Sequence, residues 1–455
     1  MSFLPFFVRS IVAPAWARWE RSDYLHHYRR LLKSQYDSPE KIAARQWDDL
    51  QRMLRHAVDT TPFWSRRFEH TGLTPDSISS FDEFRRIPIL TKQDLRQFSS
   101  ELRSSAYDPA SLWRKKTSGS TGVSVEVLVE DETQQFKRGC TLRSDEWTGW
   151  RLGEPIACIW GNPGIRSDWK GKLRRKLLTR DYAYLDTLKM SEDSMSEFAD
   201  AIVRTPPSLL FGHAHSLYLF ATFLNAKRPD VIVRPKGIIS TCMVLHDYER
   251  KAVEAKFGCP VINRYGCEEV SLIACECRKR EGLHICAEAV YVEIIDEHGE
   301  PCPPGVPGRI IVTDLKNRAM PIIRYEVGDM ATRSDKLCSC GRMLPLLKSI
   351  EGRVADYVVT QAGDYISGIS LTENFAVKIP GVEQMQIIQE EVTRFTFNIV
   401  KGADFCDESL TTLAELVAVR FGSGINYRCE YVDRIPQEKS GKFRFCISKV
   451  EKNFG

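Results

Sequence analysis

Near residue 108 the texture of this chain changes, and that change restricts its possible folds more than any other feature of the sequence. Before it, apolar residues recur at helical spacing. Trp47, Leu50, Met53, Leu54, Ala57 and Val58 form one stripe, and Thr61-Pro62 ends it because the residue before a proline is pushed out of the helical region. Beyond it, short apolar segments such as Val125 to Val129 alternate with glycine-bearing turns and helical patterns, as expected of an α/β domain. A β-rich subregion follows. Val290, Val292 and Ile294 alternate as in a strand, Gly299 and the run Pro301 to Gly305 mark a loop, and Arg309 to Val312 resumes the strand pattern. After Gly352-Arg353 the order is strand (Met385 to Gln389), strand (Phe395 to Val400), helix (Leu410 to Val419) and strand (Tyr427 to Val432), a small α+β domain. A chain of 455 residues exceeds one ordinary core. The predicted organisation is a large domain over 1–350 with an N-terminal helical region over 1–105, a hinge over 351–356 and a small domain over 357–455.

Composition excludes several classes of function. Apolar residues at 43% and charged residues at 27% describe a chain that folds. The formal charge of +4 is spread over interspersed residues of both signs, so no nucleic-acid partner is expected. The run from Lys170 to Arg175 reads as a solvated helix face, with contact to a phosphate-rich or membrane surface as the competing reading. The 14 cysteines are thinly spread, which suits a reducing cytoplasmic compartment better than a disulfide scaffold. The apolar stretch from Phe3 to Trp19 is interrupted by Pro5, Arg9 and Pro14, well short of the roughly 20 residues that a membrane span requires. Ala15-Trp16-Ala17 lacks the preceding basic start and apolar centre of a signal peptide. An extended arm packed on the body is therefore expected, and peripheral attachment at the inner membrane is the alternative.

Two constellations carry chemistry. In Thr117-Ser118-Gly119-Ser120-Thr121-Gly122, hydroxyls alternate with glycines just before a strand, so a tight loop can aim N–H and O–H donors at phosphate oxygens. It is no Walker loop, because the lysine of that motif is absent. Cys275, Cys277, His284, Cys286, Cys338 and Cys340 offer thiolate and imidazole ligands of the kind tetrahedral Zn²⁺ takes, in two separated groups.

Four further segments follow the loop in order: Tyr265-Gly266-Cys267-Glu268-Glu269, Gly328-Asp329, Gly352-Arg353 and Pro436 to Lys442. Together they resemble the motifs of adenylate-forming enzymes. Ile323-Arg324-Tyr325, Cys338-Ser339-Cys340-Gly341-Arg342 and Gly282-Leu283-His284-Ile285 make the chain most similar to the phenylacetate-CoA ligase family, including its relatives encoded with capsular polysaccharide genes. The resemblance implies a large α/β adenylation domain with a β-rich subdomain and a small C-terminal α+β domain. It implies ATP bound by Thr117, Ser118, Gly119, Ser120, Thr121, Gly122 and Tyr265, with Asp329 on the ribose hydroxyls and Arg353 closing over the nucleotide. Glu269 becomes the Mg²⁺ ligand and a catalytic residue, since a hard cation carrying phosphates needs a carboxylate. Lys442 becomes the catalytic lysine that reaches in from the small domain. For Zn²⁺ the resemblance favours Cys277, His284, Cys338 and Cys340 and leaves Cys275 and Cys286 as bystanders. His213 and His215 fall where relatives line the acyl pocket.

Departures from the family pattern bear on substrate and acceptor. Val123 and Ser124 follow the loop where lysine and proline are common, Glu268 stands for Ser or Thr, Met243 stands for glutamate, and Ala355 replaces the first of two aspartates and leaves Asp356. The expected activity is AMP-forming ligation of a small carboxylic acid to coenzyme A. Two alternatives compete with it: an amide or ester synthetase that delivers the acyl group to an amine or hydroxyl in surface polysaccharide biosynthesis, and a zinc-stabilised assembly protein without activity. Retention of Glu269, Asp329, Arg353 and Lys442 argues against the last.

Overall fold

Capping chemistry organises the first hundred residues. Ser38 accepts from the Lys41 amide to open the helix Pro39–Thr60, and Pro39 occupies the first turn, where a missing N–H costs nothing. Thr61 ends that helix and caps the next, Pro62–Thr71, by accepting from the Trp64 amide. The predicted stripe is buried through Leu50, Met53, Leu54 and Ala57, and Trp64 is fully buried, with its indole N–H donated to the Pro321 carbonyl at 3.0 Å. The computed structural model of the chain describes residues 3–116, 125–161, 169–180, 183–351, 357–361, 365–367, 371, 375, 378–422, 424–435 and 446–450. The N-terminal stretch corrects one expectation. It is helical rather than extended, running as Phe3–Phe7, Val8–Val12 and Ala13–Trp19, because Pro14 falls in a first helical turn instead of breaking an interior.

Strands β1 (Trp113–Lys116) and β2 (Glu126–Val129) pair antiparallel on either side of the segment 117–124. Eleven strands then build the main sheet: β3 (Ile156–Trp160), β4 (Ala183–Asp186), β5 (Leu209–His213), β6 (Gly237–Thr241), β7 (Val261–Cys267), β8 (Ser271–Glu276), β9 (Leu283–Ile285), β10 (Val290–Ile295), β11 (Pro307–Asp314), β12 (Tyr325–Arg333) and β13 (Leu346–Glu351). Their order across the sheet is β10-β11-β12-β13-β9-β8-β7-β6-β5-β3-β4. From β4 to β7 all pairs are parallel, with helices Glu192–Arg204, Ala214–Lys227 and Asp247–Phe257 between successive strands, as parallel crossovers require. From β7 onward every pair is antiparallel, so the β-rich subregion continues the same sheet. β7 is the seam between the two halves.

The C-terminal residues form a hairpin of β14 (Tyr357–Val359) and β15 (Tyr365–Ser367), then a four-stranded sheet of β16 (Val382–Glu391), β17 (Arg394–Lys401), β18 (Asn426–Tyr431) and β19 (Cys446–Ser448). Helix Asp407–Phe421 joins β17 to β18. Ile387, Phe395, Phe397, Leu413, Val417 and Phe421 form the core of this part, and Leu188 and Met243 from the large part pack against it. Among the described residues no helix is long and apolar enough to cross a membrane.

Candidate active site

The seam strand carries the first half of the site. At Gly266 the backbone passes so near β8 that a Cβ would sit 2.3 Å from the Ser271 carbonyl oxygen, a contact only glycine avoids. The turn beyond it presents Glu268 and Glu269. The second half begins at Tyr325 on β12, where Gly328, at φ +89°, turns the strand and presents Asp329. Each half therefore reads tyrosine, three residues, acid, and the two halves bind each other crosswise. The Tyr265 hydroxyl donates to Asp329 Oδ2 at 2.9 Å, and the Tyr325 hydroxyl donates to Glu269 Oε1 at 2.9 Å. Tyr325 and Glu269 are buried, whereas Tyr265 and Asp329 are half-buried. The result is a pair of carboxylates, each braced by a tyrosine hydroxyl.

Arg324 explains why the second half stands where it does. Its guanidinium donates through Nε and Nη2 to Glu293 at 3.1 Å each, a bidentate pair within the core. Its Nη1 reaches the carbonyls of Arg85 and, at 2.5 Å, Ile87. The Leu90 amide donates to the Arg324 carbonyl at 2.9 Å and the Glu326 amide to the Leu90 carbonyl at 3.0 Å. The helical region is thereby stapled to β12. Arg324 holds φ +51°, an uncommon conformation for a residue with a side chain, which so many fixed bonds can enforce.

Lys115, which the sequence reading did not single out, stands beside this arrangement. It precedes the Thr117 loop on β1, and its Nζ donates to Ser271 Oγ at 2.9 Å. Burial brings its ammonium down to about 8, the nearby Lys137 acts in the same direction, and Glu268 opposes both. Glu268 is solvent-exposed yet closely surrounded by protein. Desolvation raises its carboxyl, Lys115 counters, and the charge of Glu269 raises it further. Lys137 itself is paired with Asp314 in a buried salt bridge. A lysine pair directly before a hydroxyl-glycine loop, Lys115-Lys116, was the sequence feature that could have revealed this cation.

Of the residues expected at the nucleotide, Tyr265, Glu269 and Asp329 come together in this arrangement. Thr117, Ser118, Gly119, Ser120, Thr121, Gly122, Arg353 and Lys442 lie outside the described residues. Tyr325 enters the site although the sequence reading gave it no role there.

A second cluster lies where β8, β9 and the connection from β12 to β13 meet. The ligand atoms of Cys277, His284, Cys338 and Cys340 all fall within 4.8 Å of one another. Cys277 Sγ is 3.6 Å from Cys338 Sγ, and Cys340 Sγ is 3.4 Å from His284 Nε2. Ligands about 2.0–2.3 Å from a tetrahedral Zn²⁺ stand about 3.4–3.8 Å apart, so the donor set fits that ion in both chemistry and spacing. Burial, with the charges of Arg342 and Arg143, brings the His284 imidazole down to about 4, which leaves it in the neutral form that ligates. Burial alone would raise Cys340, but the Arg342 backbone and guanidinium hold it below the usual thiol range. Cys275 and Cys286 point to other partners: burial raises Cys275 to about 11 beside Arg264, and Cys286 accepts from Arg143 at 3.4 Å.

A third feature sits at the C-terminal ends of the parallel strands, where ligands bind in open α/β sheets. Trp160 at the end of β3 lies 5.1 Å from the Phe211 ring and 4.1 Å from the His213 ring, centroid to centroid. His213 is buried, and neither ring nitrogen has a hydrogen-bond partner among the described residues. Desolvation brings it down to about 4, so it is neutral and has both a donor and an acceptor to offer. His215 instead pairs with the buried Glu249.

Residues 358–449 match the family model of the CapK C-terminal domain. Protein CapK of Staphylococcus aureus is 21% identical over 408 residues, which span 88% of this chain and 88% of that one. A phenylacetate-coenzyme A ligase of Thermus thermophilus is 26% identical over 343 residues, covering 70% of this chain and 72% of the relative. Among solved structures, a 2-hydroxyisobutyryl-CoA ligase in complex with 2-HIB-AMP and CoA, in its thioesterification state, superposes with a TM-score of 0.61 at 17% identity over 90% of both chains. That likeness establishes the shared fold.

Proposed function

We propose that this chain, an AMP-forming ligase related to the phenylacetate-CoA ligases and to CapK, activates a small carboxylic acid as its acyl-adenylate and transfers the acyl group to coenzyme A. The observation that supports the reading is the crosswise pair Tyr265–Asp329 and Tyr325–Glu269, which braces the two carboxylates that the reading puts at the ribose and at Mg²⁺. In the first half-reaction a carboxylate oxygen of the acid attacks the α-phosphorus of ATP and pyrophosphate leaves. Negative charge gathers around phosphorus, so positioning and charge stabilisation supply most of the catalysis. Asp329 accepts hydrogen bonds from the ribose hydroxyls, and the loop from Thr117 to Gly122 donates to the phosphates. Lys115 adds a cation at the phosphate end, where the family's usual lysine after the loop is Val123. Glu269 would hold Mg²⁺, which when bound neutralises phosphate charge. Arg353 closes over the nucleotide from the domain boundary, and Lys442 reaches in from the small domain, over 357–455, which turns at the hinge over 351–356 between half-reactions.

The acid is received at the ends of β3 and β5, where Trp160 and Phe211 supply aromatic walls. An acid with a hydroxyl or amino substituent would complete the bonding of His213. In the second half-reaction the thiol of CoA attacks the acyl carbonyl and AMP leaves. Cys277, His284, Cys338 and Cys340 would hold a structural Zn²⁺. The cytoplasm supplies both ATP and CoA.

One observation favours a second reading of the acceptor. The match to CapK runs over 88% of the chain and its C-terminal domain, whereas the phenylacetate-CoA ligase match covers 70%. In that second reading an amine or hydroxyl, as in surface polysaccharide biosynthesis, replaces CoA as the acceptor. The test is ATP–pyrophosphate exchange screened over aryl acids with and without polar substituents, followed by product identification with CoA and with amine acceptors. Exchange with at least one acid is the expected result. Folded, Mg²⁺-supplied protein that exchanges with none would overturn adenylation.

A further inference from the structure

The face opposite the core of the N-terminal helices carries a surface that the reaction does not use. Val8, Ala13, Trp16 and Ala17 anchor these helices inward. Outward, Leu4, Phe6, Ile11 and Trp19 are 48%, 56%, 55% and 56% exposed. Beside them runs the helix Trp169–Arg174, continued as Arg175–Thr179, anchored by the buried Gly171 and Leu178. Its outer residues Trp169, Leu173 and Leu177 recur every fourth position and are 61%, 38% and 37% exposed.

The two segments form one face. Both meet at Gly153, whose amide donates to the Leu178 carbonyl at 2.9 Å while Pro5 and Val8 pack over its Cα. Lys170 Nζ lies 5.8 Å from the Trp19 ring and 5.7 Å from the Trp169 ring, within reach of both aromatic faces. Arg174 pairs with Glu20 across the junction at 3.8 Å.

Charge decides what covers this face. From Trp169 to Arg180 the basic residues are Lys170, Lys172, Arg174, Arg175, Lys176 and Arg180 and there is no acidic residue, a local formal charge of +6 on a chain whose total is +4. Exposed tryptophans and aliphatic groups set among lysines suit neither water nor an apolar protein groove. They suit the headgroup layer of a bilayer, where indole rings partition and lysine stems lie along apolar surface with their ammonium groups outward. Nucleic acid would account for the lysines and leave Phe6, Ile11 and Leu173 without a role.

We propose that the Phe3–Trp19 and Trp169–Thr179 segments together form a peripheral docking surface for membranes containing anionic lipid, with Trp19 and Trp169 at headgroup depth and Lys170, Lys172 and Lys176 on the lipid phosphates. The surface acts in the plane of the interface and involves no span.

The full chain is to be floated with vesicles of phosphatidylcholine alone and of phosphatidylcholine with phosphatidylglycerol in equal parts. Association with the anionic vesicles only, weakening as salt rises, is expected. Each lysine at an anionic surface strengthens partition roughly fivefold, so Lys170→Gln with Lys172→Gln and Lys176→Gln should weaken it on the order of a hundredfold. Phe6→Ser with Ile11→Ser and Trp169→Ser should leave only a residue of binding that moderate salt abolishes. Both triple variants should keep the melting temperature and the pyrophosphate exchange of the unaltered chain. Absence of vesicle binding by the folded chain would overturn the proposal. So would an apolar variant that binds as well as the unaltered chain at every salt concentration, tighter binding to DNA than to anionic vesicles, or self-association that the apolar variant abolishes while no vesicle is bound.

Discussion

Removing one oxygen atom, by Tyr325→Phe, would leave Glu269 buried with one hydrogen bond fewer. Hydrogen bonds to charged groups contribute about 1.5–3 kcal/mol, and partners that orient a metal-binding carboxylate change metal affinity about 10- to 100-fold. The variant should therefore need more Mg²⁺ for half-maximal pyrophosphate exchange by a factor in that range, with the maximal rate much less affected. An unchanged Mg²⁺ dependence would separate Glu269 from the metal. Lys115→Ala removes the cation before the proposed phosphate-binding segment, and should slow exchange about a hundredfold, in line with the loss of one donor that stabilises developing charge. If its rate matches that of Lys116→Ala and of the unaltered chain, Lys115 has no place at the phosphates.

Between elements, the thiol and imidazole cluster ties β8 and β9 to the connection that leads into β13. Metal analysis should find close to one Zn per chain, and Cys338→Ser should lose both the metal and several kcal/mol of stability, because a structural site contributes its binding energy to folding. Chelation should lower the melting temperature of the unaltered chain and leave the variant unmoved. Metal-free protein that melts like the metal-loaded form would remove zinc from this account. This scale also separates what was legible in the sequence from what was not. β16, β17, β18 and the helix Asp407–Phe421 were readable because their apolar periods run long enough to choose between strand and helix. β14, β15 and β19 span three residues each, too few for any period to appear. The helical course of the N-terminal stretch was not legible, because a proline in a first turn and one in an interior look alike until the helix start is known. The carboxylates Glu269 and Asp329 were recognisable by motif. Their bracing by Tyr325 and Tyr265 was not, since that pairing exists only once β7 and β12 share a sheet.

For the whole molecule, the contact between its two parts is the point at issue. Leu188 and Met243 rest against the C-terminal core, so any rotation of that part exposes apolar surface and must be repaid by new contacts. Under the proposed cycle Lys442 enters for adenylation and withdraws before the thiol attacks. Lys442→Ala should slow adenylation by several powers of ten if the lysine supplies about 3–5 kcal/mol at the transition state, at about 1.4 kcal/mol per factor of ten. Transfer from supplied acyl-AMP should be far less affected. Equal losses in the two half-reactions would rule out the division of labour. Asp356→Pro, which fixes φ at the proposed hinge, should impair the complete cycle more than exchange alone.

The crossed tyrosines also bear on how the chain reaches its native state. The two bonds join residues 64 and 56 positions apart. Everything from β8 to β11 must be laid down between the partners before either bond can close, and closing a long loop precedes any reward from the contact it permits. The proposed nucleotide site would therefore be completed late in folding, after the strands around it have found their register. A chain stalled with β12 undocked would retain most of its secondary structure yet have nowhere to hold ATP, and in a refolding experiment recovery of circular dichroism should run ahead of recovery of nucleotide binding.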